Sequence, residues 1–135
     1  MATFTKINSF VEAVCEKKHD LGSDTLTVAL TSVAPVATND VLADLTEIAY
    51  TNCSSRVITT TSSAETTGTY KLVLTDLVLT ATGAVGPFRY IAIYNDTATN
   101  KELIGFYDYG SEITMANGET FTIDFSAANG VLQLA

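Results

Sequence analysis

The sequence contains few of the residues that build metal and disulfide sites. Its 135 residues include one histidine, His19, and two cysteines, Cys15 and Cys53. These three residues do not provide the paired Cys-Cys and His-His spacing of a structural zinc site. We therefore expect no metal and no other cofactor. The sequence does not decide whether the two cysteines form a disulfide. Cys15 lies in a segment of helical pattern, and we interpret it as a small buried apolar residue.

Catalytic motifs are also missing. The chain has no Gly-x-Ser-x-Gly elbow, no glycine-rich phosphate loop and no His-Glu-x-x-His pair. His19 is followed by Asp20, but we interpret this lone histidine as a polar residue that favours the negative end of a helix. Asp108 and Glu112 are the carboxylates best suited to glycoside hydrolysis, although their spacing alone does not indicate that reaction. We predict a protein that is not an enzyme and has no catalytic residues.

Basic residues are scarce. Seven lysines and arginines stand against 15 acidic residues, a formal net charge of -8. Residues 1–18 hold three lysines and two glutamates, or +1, so the remaining chain carries -9. Such an acidic body repels phosphate, which argues against nucleic-acid and anionic-membrane partners. Only 16% of the residues are charged, and 22 threonines supply a neutral polar surface instead.

Long apolar runs are absent. No stretch approaches the roughly 20 apolar residues that a transmembrane helix needs. The first residues also lack the uninterrupted apolar stretch that is typical of a secretory signal peptide. We therefore expect synthesis in a cytoplasm.

What is present at the N terminus is a helical pattern. In residues 4–18, "FTKINSFVEAVCEKK", the apolar residues Ile7, Phe10, Val11 and Val14 recur at helical spacing. This pattern predicts an N-terminal helical segment, residues 1–22, followed by a β-sandwich domain, residues 23–135. The apolar face of the helix either packs on its own sandwich or lies in a groove on a partner.

After residue 22 the apolar residues alternate with polar ones. In "DTLTVALTS", Leu26, Val28 and Leu30 share one face. No helical segments separate the strand patterns, so parallel β-α-β units are excluded. The sequence predicts a mainly β fold, an antiparallel β-sandwich of about eight strands with a jelly-roll-like path and one N-terminal α-helix. Further predicted strands are "DLTEIAY", "SRVITTTS", "TYKLVL", "LVLT", "PFRYIAIYN", "ELIGFYDY", "ETFTIDFS" and "GVLQLA".

The stretch from 86 to 110, "GPFRYIAIYNDTATNKELIGFYDYG", is the richest in aromatic residues. Two strand patterns flank the polar "NDTATNKE", so the stretch predicts a β-hairpin with its loop between residues 95 and 102. Asx side chains explain that loop better than a calcium site does, since they bond to their own backbone. Its tyrosines are candidate partner contacts, as are the apolar residues of the N-terminal helix. The candidates are Ile7, Phe10, Val11, Val14, Tyr90, Tyr94, Tyr107 and Tyr109.

Four segments follow one another along most of the chain. They are "FVEAVCEKKHDLGSDTLTVALTSVAPVATNDVLADLTEI", "TYKLVLTD", "GPFRYIAIYND" and "LIGFYDYGSEITMANGETFTIDFSAANGVLQLA". In this order they resemble a family of small structural proteins of tailed bacteriophages. The resemblance covers nearly the whole chain and is weakest in the middle, "AYTNCSSRVITTTSSAETTG".

This resemblance implies a virion component, and specifically a capsid decoration or cement protein. Such a protein binds the outside of the shell that the major capsid protein forms, and it stabilises that shell. We expect it on the outer capsid surface, with self-association, as a trimer, around the symmetric shell. The alternative is a tail or fibre component that binds a host surface glycan, with Tyr90, Tyr94, Tyr107 and Tyr109 displayed to the sugar.

Overall fold

The computed structural model describes residues 2–135, which contain ten β-strands and one α-helix. The helix, α1, spans Phe10–Cys15, and a short 3-10 helix spans Leu42–Asp44. The strands are β1 (Thr3–Lys6), β2 (Leu26–Thr31), β3 (Val57–Ile58), β4 (Thr60–Thr66), β5 (Thr69–Leu74), β6 (Leu77–Thr80), β7 (Val85–Asn95), β8 (Leu103–Met115), β9 (Thr120–Ile123) and β10 (Leu132–Leu134).

The strands form three antiparallel sheets. The largest has five strands in the order β1-β8-β7-β2-β3, the second has the order β10-β5-β4, and β6 pairs with β9. The predicted mainly β, antiparallel architecture is confirmed and is consistent with a β-sandwich, whereas the jelly-roll path stays a prediction. Within residues 2–135, no helix has the length and apolar character that crossing a membrane requires.

A single core joins the three sheets. All six residues of β2 are buried, as are most residues of β7 and the first five residues of β8. Leu72 and Leu74 of the second sheet and Ile123 of the β6-β9 pair belong to the same cluster. The predicted hairpin of residues 86–110 is confirmed, because β7 and β8 pair directly around the loop of residues 96–102.

The prediction of one helix over residues 4–18 is wrong in its extent. Residues Thr3–Lys6 form β1, which pairs with β8 from Thr3 opposite Asp108 to Lys6 opposite Gly105. The Phe4 ring lies over Gly105, where an added Cβ would collide with it. The helix itself has only six residues. Strand pairing and this ring contact therefore override the helical spacing in the first residues.

The N-terminal residues share the core of the sandwich. Ile7 is 1% exposed and Phe10 is fully buried, and both belong to the common hydrophobic cluster. The backbone N–H of Ile7 donates to the carbonyl of Ile104 at 3.0 Å. Residues 2–22 thus supply an edge strand and a buried helix face to the domain that was predicted to begin at residue 23.

The predicted strand "DLTEIAY" is wrong, because this segment forms no β-ladder. It closes the edge of β2 by single contacts instead. The Ile48 N–H donates to the Leu30 carbonyl at 3.0 Å, and the Leu30 N–H donates to the Tyr50 hydroxyl at 2.9 Å. Arg56 covers the Tyr50 ring at 3.6 Å from its centroid and donates to the Val28 carbonyl at 2.6 Å. Little of the backbone of β2 is left open.

Candidate functional site

The eight predicted contact residues do not form one surface in the structure; they lie in the core, on the surface or in the lining of cavities. Four of them belong to the core: Ile7, Phe10, Tyr94, which is 5% exposed, and Tyr107, which is 7% exposed. Ile7, Phe10 and Tyr94 contact this chain's own interior, so none of these three offers its side chain to a partner. Of the two arrangements that the sequence left open for α1, packing on its own sandwich is the one that the structure shows for Ile7 and Phe10.

Two further candidates lie on the surface without a cavity around them. Val11, on the outer side of α1, is 45% exposed. Tyr90 is half-buried and faces the Arg89 guanidinium at 5.2 Å from its ring centroid. Val14, Tyr107 and Tyr109 are the predicted residues that line cavities.

The carboxylate pair considered for hydrolysis is not arranged for that chemistry. Asp108 accepts two hydrogen bonds from Arg89, Nε to Oδ1 at 2.8 Å and Nη2 to Oδ2 at 3.2 Å. These bonds, with one from the Gly110 N–H, lower the pKa of Asp108 below its ordinary value. A general acid needs a raised pKa. Glu112 is exposed on the same strand.

The interpretation of His19 as a polar group at a helix end is wrong. The ring is buried, and its Nδ1 is 3.0 Å from the Asn95 amide nitrogen, which also donates to Asp24 at 2.6 Å. Burial lowers the pKa of His19, and the carboxylates of Glu102 and Asp24 only partly oppose this effect. The histidine is therefore a neutral member of a buried polar cluster beneath the β7-β8 loop.

Both cysteines are free thiols. Cys15 is exposed, which corrects its interpretation as a buried residue, and Cys53 is half-buried with its pKa raised by burial. Among residues 2–135, no group of three His, Cys, Asp or Glu side chains is close enough together to hold a metal ion.

The loop after Asn95 is a turn, as predicted, because the Asn95 Oδ1 accepts from the N–H groups of Thr97 and Ala98.

The outer edge of β4 is an open strand edge. This strand pairs with β5 on one side, and within residues 2–135 no strand pairs with its other side. Five of its seven residues are exposed, and only Glu65 is charged. Natural edge strands usually carry lysine, proline or a covering loop to prevent pairing with other chains. The regular part of β4, Ser62–Thr66, carries no lysine and no proline, and only a bulge near Thr61 interrupts the ladder.

A groove of about 540 Å³ reaches β4 at Ser63. It lies between the second sheet, which also contributes Tyr70 and Leu134, and the residues from the end of α1 to Gly22. Tyr70 is half-buried, and its hydroxyl lies 2.6 Å from the Ser63 hydroxyl. The groove is lined by Val14, Cys15, Lys17, His19, Asp20, Leu21, Gly22, Ser63, Tyr70 and Leu134.

A second cavity, which we name the aromatic cleft, lies at β1 and β8. It has a volume of about 470 Å³ and is lined by Ala2, Phe4, Tyr107, Tyr109, Thr122, Asp124, Ser126, Gly130 and Val131. The ring centroids of Phe4 and Tyr107 are 5.0 Å apart, and those of Tyr107 and Tyr109 are 6.3 Å apart. The cleft thus brings together two of the predicted tyrosines and separates them from Tyr90 and Tyr94.

The sequence did not identify the β4 edge, the Tyr70 side of the groove or Asp124. Composition gave one indication of the edge: "TTSSAET" consists of small polar residues and alanine, with Glu65 as its one charge and without the lysine or proline that protects an exposed strand. Comparisons with protein-family models, curated proteins and solved structures found no match to the chain.

Proposed function

We propose that the protein is a non-enzymatic capsid decoration protein of a tailed bacteriophage, which binds the outside of the major capsid shell through the open edge of β4. The single observation that carries this proposal is the strand edge at Ser62–Thr66, which is unpaired, mostly exposed and charged only at Glu65. A strand of another protein can add to such an edge through main-chain hydrogen bonds. The sequence resemblance supplies the identity of the partner, the major capsid protein.

The groove supports this proposal because it offers specificity next to the edge. In strand addition, pockets beside the paired strand hold the partner's alternate side chains. Ser63 of β4 lines the groove, together with the apolar Val14 and Leu134. An apolar side chain that projects from the added strand would fill this space. The N-terminal helix thus contributes Val14 and Cys15 to the docking surface, while Ile7 and Phe10 hold the helix in place.

The charge of the chain supports an outer rather than an inner position on the shell. With a formal net charge of -8, the protein would be repelled by the packaged DNA. Self-association as a trimer stays a prediction from the symmetry of such shells. The alternative, a tail or fibre component that binds a host glycan, is supported by the aromatic cleft alone.

Heat stability of particles tests the proposal. Phage particles would be prepared with the gene intact and with it deleted, and the temperature of DNA release would be compared. A ligand that binds only the assembled shell stabilises that shell, so we expect release at a lower temperature from the deletion particles. Adding the purified protein back restores the higher temperature.

Two results would contradict this proposal. One is equal release temperatures with and without the protein. The other is cryo-electron microscopy of intact particles in which density assigned to the protein lies on the tail and none lies on the shell. Purified deletion particles with added wild-type protein serve as the matched control for both measurements.

A further inference from the structure

We propose that the aromatic cleft binds a neutral saccharide, with the sugar ring over Phe4 and Tyr109 and its hydroxyls bonded to Asp124 and to the Tyr107 hydroxyl. This inference does not depend on the docking of β4. It rests on the cavity, on polar groups that have no partner among residues 2–135, and on the charges around them. The cleft residues come from β1, β8 and the segment that follows β9.

The polar side-chain groups of Tyr107, Tyr109 and Asp124 in the cleft make no hydrogen bonds with residues 2–135 of the protein. Neither the Tyr107 hydroxyl nor the Tyr109 hydroxyl bonds to another residue within 2–135, and the same holds for the Asp124 carboxylate. By contrast, the hydroxyls of Tyr50 and Tyr70 are bonded. Donors and acceptors that point into one cavity without partners are available to a ligand.

The rings around these groups are held rigidly. Tyr107 contacts Phe4 on one side and Phe125 on the other, with centroids 5.0 Å and 6.1 Å away. Tyr109 packs edge-to-face on Phe121 at 5.2 Å. Side chains positioned in this way lose little conformational entropy when a ligand binds. The half-buried Phe4 and Tyr109 contribute the apolar surface on which the C–H face of a sugar packs.

The two phenols remain hydrogen-bond donors at neutral pH. Burial, together with the charge of Asp124, raises the pKa of Tyr109 to about 12. Burial also raises the pKa of Tyr107, with smaller contributions from Tyr109 and Asp124. The cleft therefore presents protonated hydroxyl groups beside the carboxyl group of Asp124. A polyhydroxylated ligand, which both donates and accepts, matches this combination better than a purely apolar one.

The charge of the cleft excludes anionic ligands. Asp124 has no salt-bridge partner within residues 2–135, and no lysine or arginine lines the cavity. A phosphate, a sulfated sugar or a sialic acid would be repelled by this carboxylate, and no lysine or arginine of the lining would offset the repulsion. The volume of about 470 Å³ is within the usual range for small-ligand sites and accommodates about one or two pyranose rings.

The test uses the purified full chain on an array of neutral oligosaccharides, followed by titration calorimetry with the strongest neutral binder. We expect binding that changes little between low and high salt. Asp124→Asn, an isosteric change at an exposed position, should weaken it about tenfold through loss of the charge-assisted bonds. Tyr109→Phe, which keeps the ring, should weaken it less than Asp124→Asn. Val33→Ala, at an exposed position outside the cleft, should leave it unchanged.

Three outcomes would overturn the inference. The first is no binding to any neutral glycan of the array. The second is binding that Asp124→Asn and Tyr109→Phe leave at wild-type strength while their melting temperatures show intact folding. The third is salt-sensitive binding of tetramethylammonium in place of a neutral sugar, since three aromatic rings with a carboxylate also suit an ammonium ion. None of these outcomes bears on capsid attachment, because no capsid is present.

Discussion

Two threonine-containing strands, β2 and β4, differ in whether other residues cover the edge that has no partner strand. β2 has six residues, all buried, and its edge beyond β3 is closed by Ile48, Tyr50 and Arg56. β4 has seven residues, none of them buried, and its outer edge is free within residues 2–135. The chain closes one edge with a segment that forms no strand of its own, and it leaves the other open.

This difference assigns separate roles to the two strands. Closing the edge of β2 protects a strand that the core needs, since an unpaired buried N–H costs free energy. Leaving the edge of β4 unpaired costs the isolated protein little free energy, because water solvates the backbone of this strand. The open edge instead gives another chain a place to pair. Substitutions in β2 and at its edge should therefore affect folding, whereas substitutions on β4 should affect binding.

The largest expected effect on the free energy of unfolding is that of a core substitution in β2. Leu30 is fully buried, so Leu30→Ala removes buried methyl groups and leaves a cavity. We expect a loss of about 2–5 kcal/mol in the free energy of unfolding, measured by urea denaturation. Ala64→Ser on β4 is the matched change at an exposed position and should alter stability by less than about 0.5 kcal/mol. Equal losses in both strands would contradict the assignment of roles.

A smaller effect is expected at the closed edge itself. Tyr50→Phe keeps the ring under Arg56 but removes the hydroxyl that accepts from the Leu30 N–H. The buried N–H is then without a partner, which should cost about 1–3 kcal/mol in the same denaturation experiment. Faster hydrogen exchange at the Leu30 amide should accompany this loss. A variant as stable as the wild type would show that the closing contact is dispensable.

The next effect is the pH dependence of stability that His19 causes, and it involves neither strand edge. The pKa of His19 in the folded protein is below its ordinary value of 6.5, mainly because of burial. The unfolded chain therefore binds the proton more readily, and the stability that the neutral ring contributes is lost as pH falls below 6.5. Asp24 and Glu102, which face the ring, limit the size of this loss.

Melting temperatures between pH 7.5 and pH 5.5 check this expectation. The wild type should melt at a lower temperature at the acidic end of that range. His19→Gln removes the titrating group, so its melting temperature should change less over the same interval. Identical pH profiles for the two proteins would show that His19 has the same pKa in the folded and unfolded states.

Alternation of apolar residues was sufficient to predict the antiparallel β architecture and the β7-β8 hairpin. It was not sufficient for the N terminus, where Ile7, Phe10 and Val14 follow helical spacing although residues 3–6 form a strand. There the deciding contact is Phe4 on Gly105, about a hundred residues away in the chain. Local patterns do not report such long-range contacts.

The candidate sites were less predictable than the fold. Tyr107 and Tyr109 were among the predicted contact residues, but nothing in the sequence separates them from the buried Tyr94. Which tyrosine lines a cavity depends on Phe4 and Asp124, which come from distant parts of the chain. Likewise, whether a strand such as β4 is paired on one side or on both depends on sheet order, which local alternation does not determine.

The most direct test of the central claim concerns the edge of β4 and should have the smallest effect on stability. Ser62→Lys and Ala64→Lys, combined in one variant, place charges on this exposed strand. Its melting temperature should match that of the wild type. Thr80→Lys is the control, because Thr80 is also exposed in a strand, but its outer edge is already bonded to Ser54 at 2.8 Å and 3.0 Å.

The measurement is the occupancy of these proteins on phage particles that lack the wild-type gene product, determined over a range of protein concentrations. We predict that the double variant binds about tenfold more weakly or not at all, while Thr80→Lys binds as the wild type does. Full occupancy by the folded double variant at wild-type concentrations would contradict the claim that β4 is the docking edge.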